Sequence, residues 1–229
     1  MVFELADEDI RSSISISSAV SNRWRFYLLH QTTLALMQLH GQNIAHQDLK
    51  PSNILRFGSN GVKLGDLGRS TLRGKPAPHD HMVRPGALNY APFEQRYGHT
   101  SPDWTVRRLS TDVFHLGCLV VFVFTNICFP EFVIERLDAP FQPANWGDPY
   151  EEVMPHIQDA MTRALYELSE DFPPQFRTEL NSIVLDLCNP DPKFRAHAGQ
   201  KEAPSAGPLW LQRYVSKFDL LEKKAQFGT

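Results

Sequence analysis

A chain of 229 residues, 42% hydrophobic and 21% charged, is long enough to bury one well-formed core. Its 23 Lys and Arg against 26 Asp and Glu leave a formal charge of −3, which gives no electrostatic footprint for nucleic acid, so partners must be sought in site chemistry. Cys118, Cys128 and Cys188 lie in apolar surroundings without metal-ligand spacing and are read as reduced core residues of a cytoplasmic protein, with no signal peptide before the fold. In chain order, Met1 to Ala6 is strand-like and runs into the acidic Asp7-Glu8-Asp9. Arg11 to Ser21 suggests a short, weak helix and a polar loop. Arg23 to His40 then carries Phe26, Leu29, Leu34, Met37 and Leu39 at helical spacing, with Gly41 as terminator.

This helix delivers the chain to a polar loop, Ile44-Ala45-His46-Gln47-Asp48-Leu49-Lys50-Pro51-Ser52-Asn53-Ile54-Leu55, which leaves as a short apolar strand. Within it, Asp48 can accept a proton from an attacking hydroxyl, and Lys50 can neutralise charge on a phosphoryl group in flight. Asn53 can offer an amide oxygen to a metal ion. Val62-Lys63-Leu64-Gly65-Asp66-Leu67-Gly68 follows as a strand ending in an acid and a glycine turn, and Asp66 is the natural second metal ligand. His46-Gln47-Asp48-Leu49 through Asn53 resembles the catalytic loop H-R-D-L-x-x-x-N of protein kinases, and Asp66-Leu67-Gly68 resembles their metal loop D-F-G. Asp48-Leu49-Lys50-Pro51 with Asn53 is similar to the serine/threonine type, because small-molecule phosphotransferases of the same fold generally lack that lysine.

Residues 73–84, rich in Pro, His and Gly, read as a loop. His79-Asp80-His81 is taken as surface loop, since three adjacent residues rarely converge on one ion. Gly86-Ala87-Leu88-Asn89-Tyr90-Ala91-Pro92-Phe93-Glu94 resembles the family's G-T-x-x-Y-x-A-P-E, with Ala87 in place of threonine and Phe93 inserted before Glu94. Asp112 opens an apolar helix, with Ser110 or Thr111 as cap. Its most apolar run, Val113 to Phe124, is shorter than the ~20 residues of a membrane span and reads as a buried helix. Helices are expected around Tyr150 to Ser169, Gln175 to Cys188 and Leu209 to Ala225, the last preceded by a loop from Gly199 to Pro208.

The resemblance implies a protein kinase-like C-terminal lobe, mainly α with a few short β-strands at the catalytic face. Residues 1–10 correspond to the end of the small lobe and the hinge, and 11–229 to the C-terminal lobe. Within that lobe lie the catalytic loop 46–53, the metal loop 66–68 and the activation segment 66–94. It implies that Asp48 and Lys50 are catalytic, that Asn53 and Asp66 hold Mg²⁺ and ATP, and that backbone groups of Glu4 and Ala6 carry the adenine. His46 is then a structural histidine supporting the loop. Asp112 is expected to anchor that loop through backbone N–H groups, and Arg195, in Asn189-Pro190-Asp191-Pro192-Lys193-Phe194-Arg195, to pair with Glu94. Gln47 stands where the family has an arginine that binds an activation-segment phosphate, so activity is expected to be independent of such a phosphate, with Ser70 and Thr71 the nearest acceptors.

Two functions follow as expectations. One is a serine/threonine protein kinase lobe that transfers the ATP γ-phosphate to a protein hydroxyl. It would be the product of a truncated or mis-started gene, or a lobe completed by a separate chain supplying the small lobe, and weakly active or inactive alone. The other is a catalytically inactive, kinase-like interaction module. Neither nucleic acid nor membrane is expected as a partner.

Overall fold

The computed structural model describes residues 4–16, 20–58, 61–197 and 211–227. Eight α-helices and five short strands are assigned among them. After β1 (Glu8–Asp9) come α1 (Ile10–Ile16) and the long α2 (Asn22–Gly41), opened by Ser21, whose hydroxyl accepts from the Trp24 N–H. β2 (Ile44–Ala45), β3 (Ile54–Phe57), β4 (Gly61–Leu64) and β5 (Thr71–Leu72) follow. β3 is the centre of an antiparallel sheet ordered β1-β3-β4, in which Glu8 faces Arg56 and Leu55 faces Lys63; β2 and β5 form a separate antiparallel pair.

The rest is helical. Short α3 (Phe93–Arg96) precedes α4 (Ser110–Thr125), α5 (Phe129–Ile134), α6 (Tyr150–Leu168), α7 (Arg177–Leu187) and α8 (Gln212–Phe227). α4 runs through the core with Val113 to Phe124 all buried, and α2, α5 and α7 pack around it while α8 lies along α2. Phe26, Phe124, Phe172 and Phe176 join these helices by tilted and edge-to-face ring contacts at 4.9–5.9 Å.

Several expectations need correcting. Residues 1–3 lie outside the described part, and Glu4 to Ala6 are irregular. Pairing begins only where the Asp7 N–H reaches the Arg56 carbonyl at 2.9 Å, so the strand is Glu8–Asp9. Ser110 and Thr111 do not cap α4. A π-helical stretch, Thr105–Leu109, runs directly into it, and their hydroxyls instead bond back to the carbonyls of Val106 and Arg107. The continuous helix Thr105–Thr125 is therefore 21 residues, long and apolar enough to cross a membrane, and 94% of its most apolar window is buried inside the protein. Cys118 and Cys188 are core residues, but Cys128 is only half-buried. His79 is buried at 5% exposure rather than on the surface. The helix expected from Leu209 is described from Gln212, and the loop expected at 199–208 lies outside the described residues.

Candidate active site

The polar loop after β2 is held from beneath by one buried carboxylate. Asp112, in the first turn of α4, accepts the His46 N–H at 2.8 Å on Oδ2 and the Gln47 N–H at 2.7 Å on Oδ1, and its Oδ2 also meets His40 Nε2 at 2.9 Å. Burial opposes charge on Asp112, yet these donors together hold its carboxyl below the usual range. His46 links the loop to β4. Its Nδ1 accepts the Asp48 N–H at 3.3 Å, so Nε2 carries the proton and donates to the Gly65 carbonyl at 3.0 Å. His46 thus supports the loop, as the resemblance implied.

Asp48, 6% exposed, is the point where the loop's functional groups meet. Its Oδ2 accepts Lys50 Nζ at 2.8 Å and Asn53 Nδ2 at 3.2 Å, and Asn53 Nδ2 also reaches the Asp48 carbonyl at 2.8 Å. Its Oδ1 accepts the backbone N–H of Ala87 at 2.9 Å. Burial again pushes the pKa up, and the Lys50 ammonium with the Ala87 amide outweighs it, so the carboxyl sits below its ordinary value.

The Gly65 N–H donates to the Asn53 carbonyl at 2.8 Å, which sets Asp66 one residue from the Asn53 backbone. Asp66 is exposed and left-handed (φ 52°, ψ 70°), and its Oδ1 accepts the Gly68 N–H at 3.3 Å. With Asn53 Nδ2 committed to Asp48, its amide oxygen is the face left for a ligand. An amide oxygen and an exposed carboxylate are hard donors that suit a small divalent cation such as Mg²⁺, which keeps waters or phosphate oxygens for its other positions. Asp48, Lys50 and Asn53 therefore come together, with Asp66 on the adjoining strand end. Glu4 joins only through an ion pair with Lys63 of β4, and Ala6 is half-buried just before β1.

Two further ties are in place. Arg195 and Glu94, both buried, meet as a fork at 2.8 and 2.5 Å, with the guanidinium also donating to the Asn189 and Ser110 carbonyls. Gln47, at φ 65°, donates from Nε2 to the Arg69 carbonyl at 2.8 Å and to Thr71 Oγ1 at 3.0 Å. Thr71 is buried and so is not the accessible acceptor its sequence position suggested. Sequence reasoning missed the Ala87 amide and His40. A backbone donor has no residue signature, and a histidine in the last turn of a helix is an ordinary end signal.

A family model for the protein kinase domain matches residues 1–203. Relatives include a probable cell division protein kinase of Encephalitozoon cuniculi, 28% identical over 207 residues that cover 87% of this chain and 62% of the relative. The inactive serine/threonine-protein kinase PLK5 of Mus musculus is 35% identical over 118 residues, 51% of this chain and 18% of the relative. The CTD kinase subunit alpha of Schizosaccharomyces pombe is 25% identical over 202 residues, 82% of this chain and 32% of the relative. The chain spans less than two thirds of the length of each of these three.

Proposed function

The chain belongs to the protein kinase domain family, and from that premise we propose that it is the C-terminal catalytic lobe of a serine/threonine protein kinase. It would transfer the γ-phosphate of ATP to a protein hydroxyl, with weak or no activity unaided. The observation that carries this reading is the convergence of Lys50, Asn53 and the Ala87 amide on one buried carboxylate, Asp48. In the proposed reaction Asp48 orients the substrate Ser or Thr hydroxyl and takes its proton, and Lys50 offsets charge on the phosphoryl group during transfer. Mg²⁺, held by Asn53 and Asp66, would neutralise phosphate charge when bound. Glu4 and Ala6 are proposed to carry the adenine through their backbone groups.

Among the described residues Lys50 is the cation paired with Asp48, little with which to grip three phosphates, and this supports weak activity alone and a separate chain supplying the small lobe. A cytoplasmic location belongs to the same proposal, supported by the free thiols of Cys118, Cys128 and Cys188. The second reading, an inactive interaction module, is favoured by the likeness to a relative named inactive and by Ala87, which meets Asp48 through its backbone alone.

Calorimetric titration of the full chain with Mg²⁺-ATP, against Asp66→Ala, tests the reading. Micromolar binding lost in the variant, followed by phosphotransfer that Asp48→Asn abolishes, is the expected result. Binding without phosphotransfer, with or without a small-lobe chain added, would favour the interaction module, and absence of saturable binding would overturn the nucleotide site.

A further inference from the structure

Beside the Asp48–Lys50 pair lies a cleft of about 560 Å³ whose walls include Arg11 of α1, Lys50 and Ser52 of the catalytic loop, Asn89 and Tyr90 beyond Ala87, and Cys128 before α5. Among the described residues no carboxylate lines it. Lys50 is compensated by Asp48 at 2.8 Å, but Arg11 is exposed, and the acids nearest it in sequence are committed elsewhere. Glu8 pairs with Arg56 at 2.8 Å, Asp7 accepts the Gly58 N–H at 2.7 Å, and Asp9 accepts the Ser12 N–H at 2.9 Å. Across the cleft, Glu131 is spent on Arg96 at 2.5 Å, whose guanidinium also fixes the carbonyls of Leu88 and Asn89. In a chain of net charge −3, this one opening beside the candidate catalytic aspartate is cationic.

We infer that this cleft binds the peptide flanking the acceptor hydroxyl and selects acidic side chains there, with Arg11 as the specificity-determining residue. The inference rests on the kinase reading of Asp48. A flanking carboxylate meets an uncommitted guanidinium, whose fork suits it, and finds no like charge along the walls. A basic peptide meets Arg11 as repulsion with no acid to offset it. Ser52 and Asn89 add neutral polar groups that tolerate either sign, so the discrimination falls on Arg11.

The test uses three fluorescein-labelled peptides, each with a central serine flanked by Glu, Ala or Lys, titrated into the full chain by fluorescence anisotropy at low and high salt. The expected order is Glu over Ala over Lys, with a spread of roughly tenfold that contracts in high salt. Arg11→Ala should weaken the Glu peptide by about threefold to tenfold and Arg11→Glu should reverse the order, melting curves certifying each fold. Equal affinities, no peptide binding, or an order unchanged by both variants overturns the inference. Mg²⁺-ATP titrated in parallel separates the two claims. Nucleotide binding with charge-blind peptide binding leaves the kinase reading standing and removes the acidic selectivity; Arg11-dependent peptide binding without nucleotide binding does the reverse.

Discussion

Gly86 stands against the 46–53 loop so closely that a Cβ there would lie 2.4 Å from the Gln47 carbonyl oxygen and 3.1 Å from Asp48 Oδ1. Neither atom can yield easily, because Asp112 pins the loop through two amide bonds. In Gly86→Ala the segment carrying Ala87 must therefore shift, and the Ala87 N–H leaves Asp48. Misplacing a positioned group by about an ångström can cost roughly a hundredfold in rate, so turnover should fall on that order while Mg²⁺-ATP affinity, which does not use this contact, is retained. Equal turnover in wild type and variant would show the amide to be idle. Gln47 carries a second expectation. A neutral amide already ties the 46–53 loop to Arg69 and Thr71, and Thr71 is buried, so the segment is fastened without a phosphate. Phosphatase treatment, checked by mass spectrometry, should leave nucleotide affinity and turnover unchanged, and Thr71→Ala should cost only about 1 kcal/mol in urea denaturation. A phosphatase-sensitive activity would refute this. At this scale the clustering of Asp48, Lys50 and Asn53 was legible, because side chains carry it. The Ala87 amide was not, because any residue but proline can supply it.

Helix α4 reaches α7 through a missing side chain. A Cβ on Gly117 would come within 2.4 Å of Cys188 Sγ and 2.9 Å of Leu187 Cβ, so only glycine lets the two helices approach this far. Gly117→Ala is expected to destabilise the chain by about 1–3 kcal/mol, measured as a lower urea midpoint at unchanged slope. Because α7 leads directly into Asn189–Arg195, the displacement should also loosen the grip on Glu94. The helical spacing read over Arg23 to His40 found α2, although of its five apolar residues Phe26 and Leu29 are buried while Leu34, Met37 and Leu39 are only partly so. The start of α4 was misread for a physical reason. Ser or Thr before an apolar run is a capping signal, but here the backbone stays helical through Thr105–Leu109 and the hydroxyls turn back onto its carbonyls. The strands β1, β2 and β5 are two residues each, too short to show any alternation, and exist because β3 and the loop after α2 offer them an edge.

Taken as a whole, the molecule threads charged and titratable groups through an apolar core. The Glu94–Arg195 pair, Asp112 with His40, and His115 all lie buried around α4. His115 ties stability to pH. Burial drives its pKa down from 6.5 to about 4, the nearby Asp112 and Asp48 carboxylates pulling the other way without prevailing. Between these values the unfolded chain binds a proton that the folded chain refuses, so stability rises with pH and is lost as pH falls below 6.5 toward 4. Asp112 has the opposite kind of shift, a depressed carboxyl. Its contribution is complete above the ordinary carboxylate range and is lost only as pH drops through its lower folded value. The window from pH 7 to pH 5 therefore separates His115 from Asp112. Over it the wild type should lose about 2 kcal/mol, from 1.36 kcal/mol for each unit below the unfolded pKa. His115→Gln removes the titrating group. Whatever the variant costs at pH 7, the difference between its urea-derived stabilities at pH 7 and pH 5 should shrink by that amount. His197, whose pKa burial also lowers, adds a slope of the same sign in both proteins and cancels in the comparison. An undiminished difference would mean that His115 takes up its proton in the folded state, with the carboxylates of Asp112 and Asp48 outweighing burial at the centre of the core.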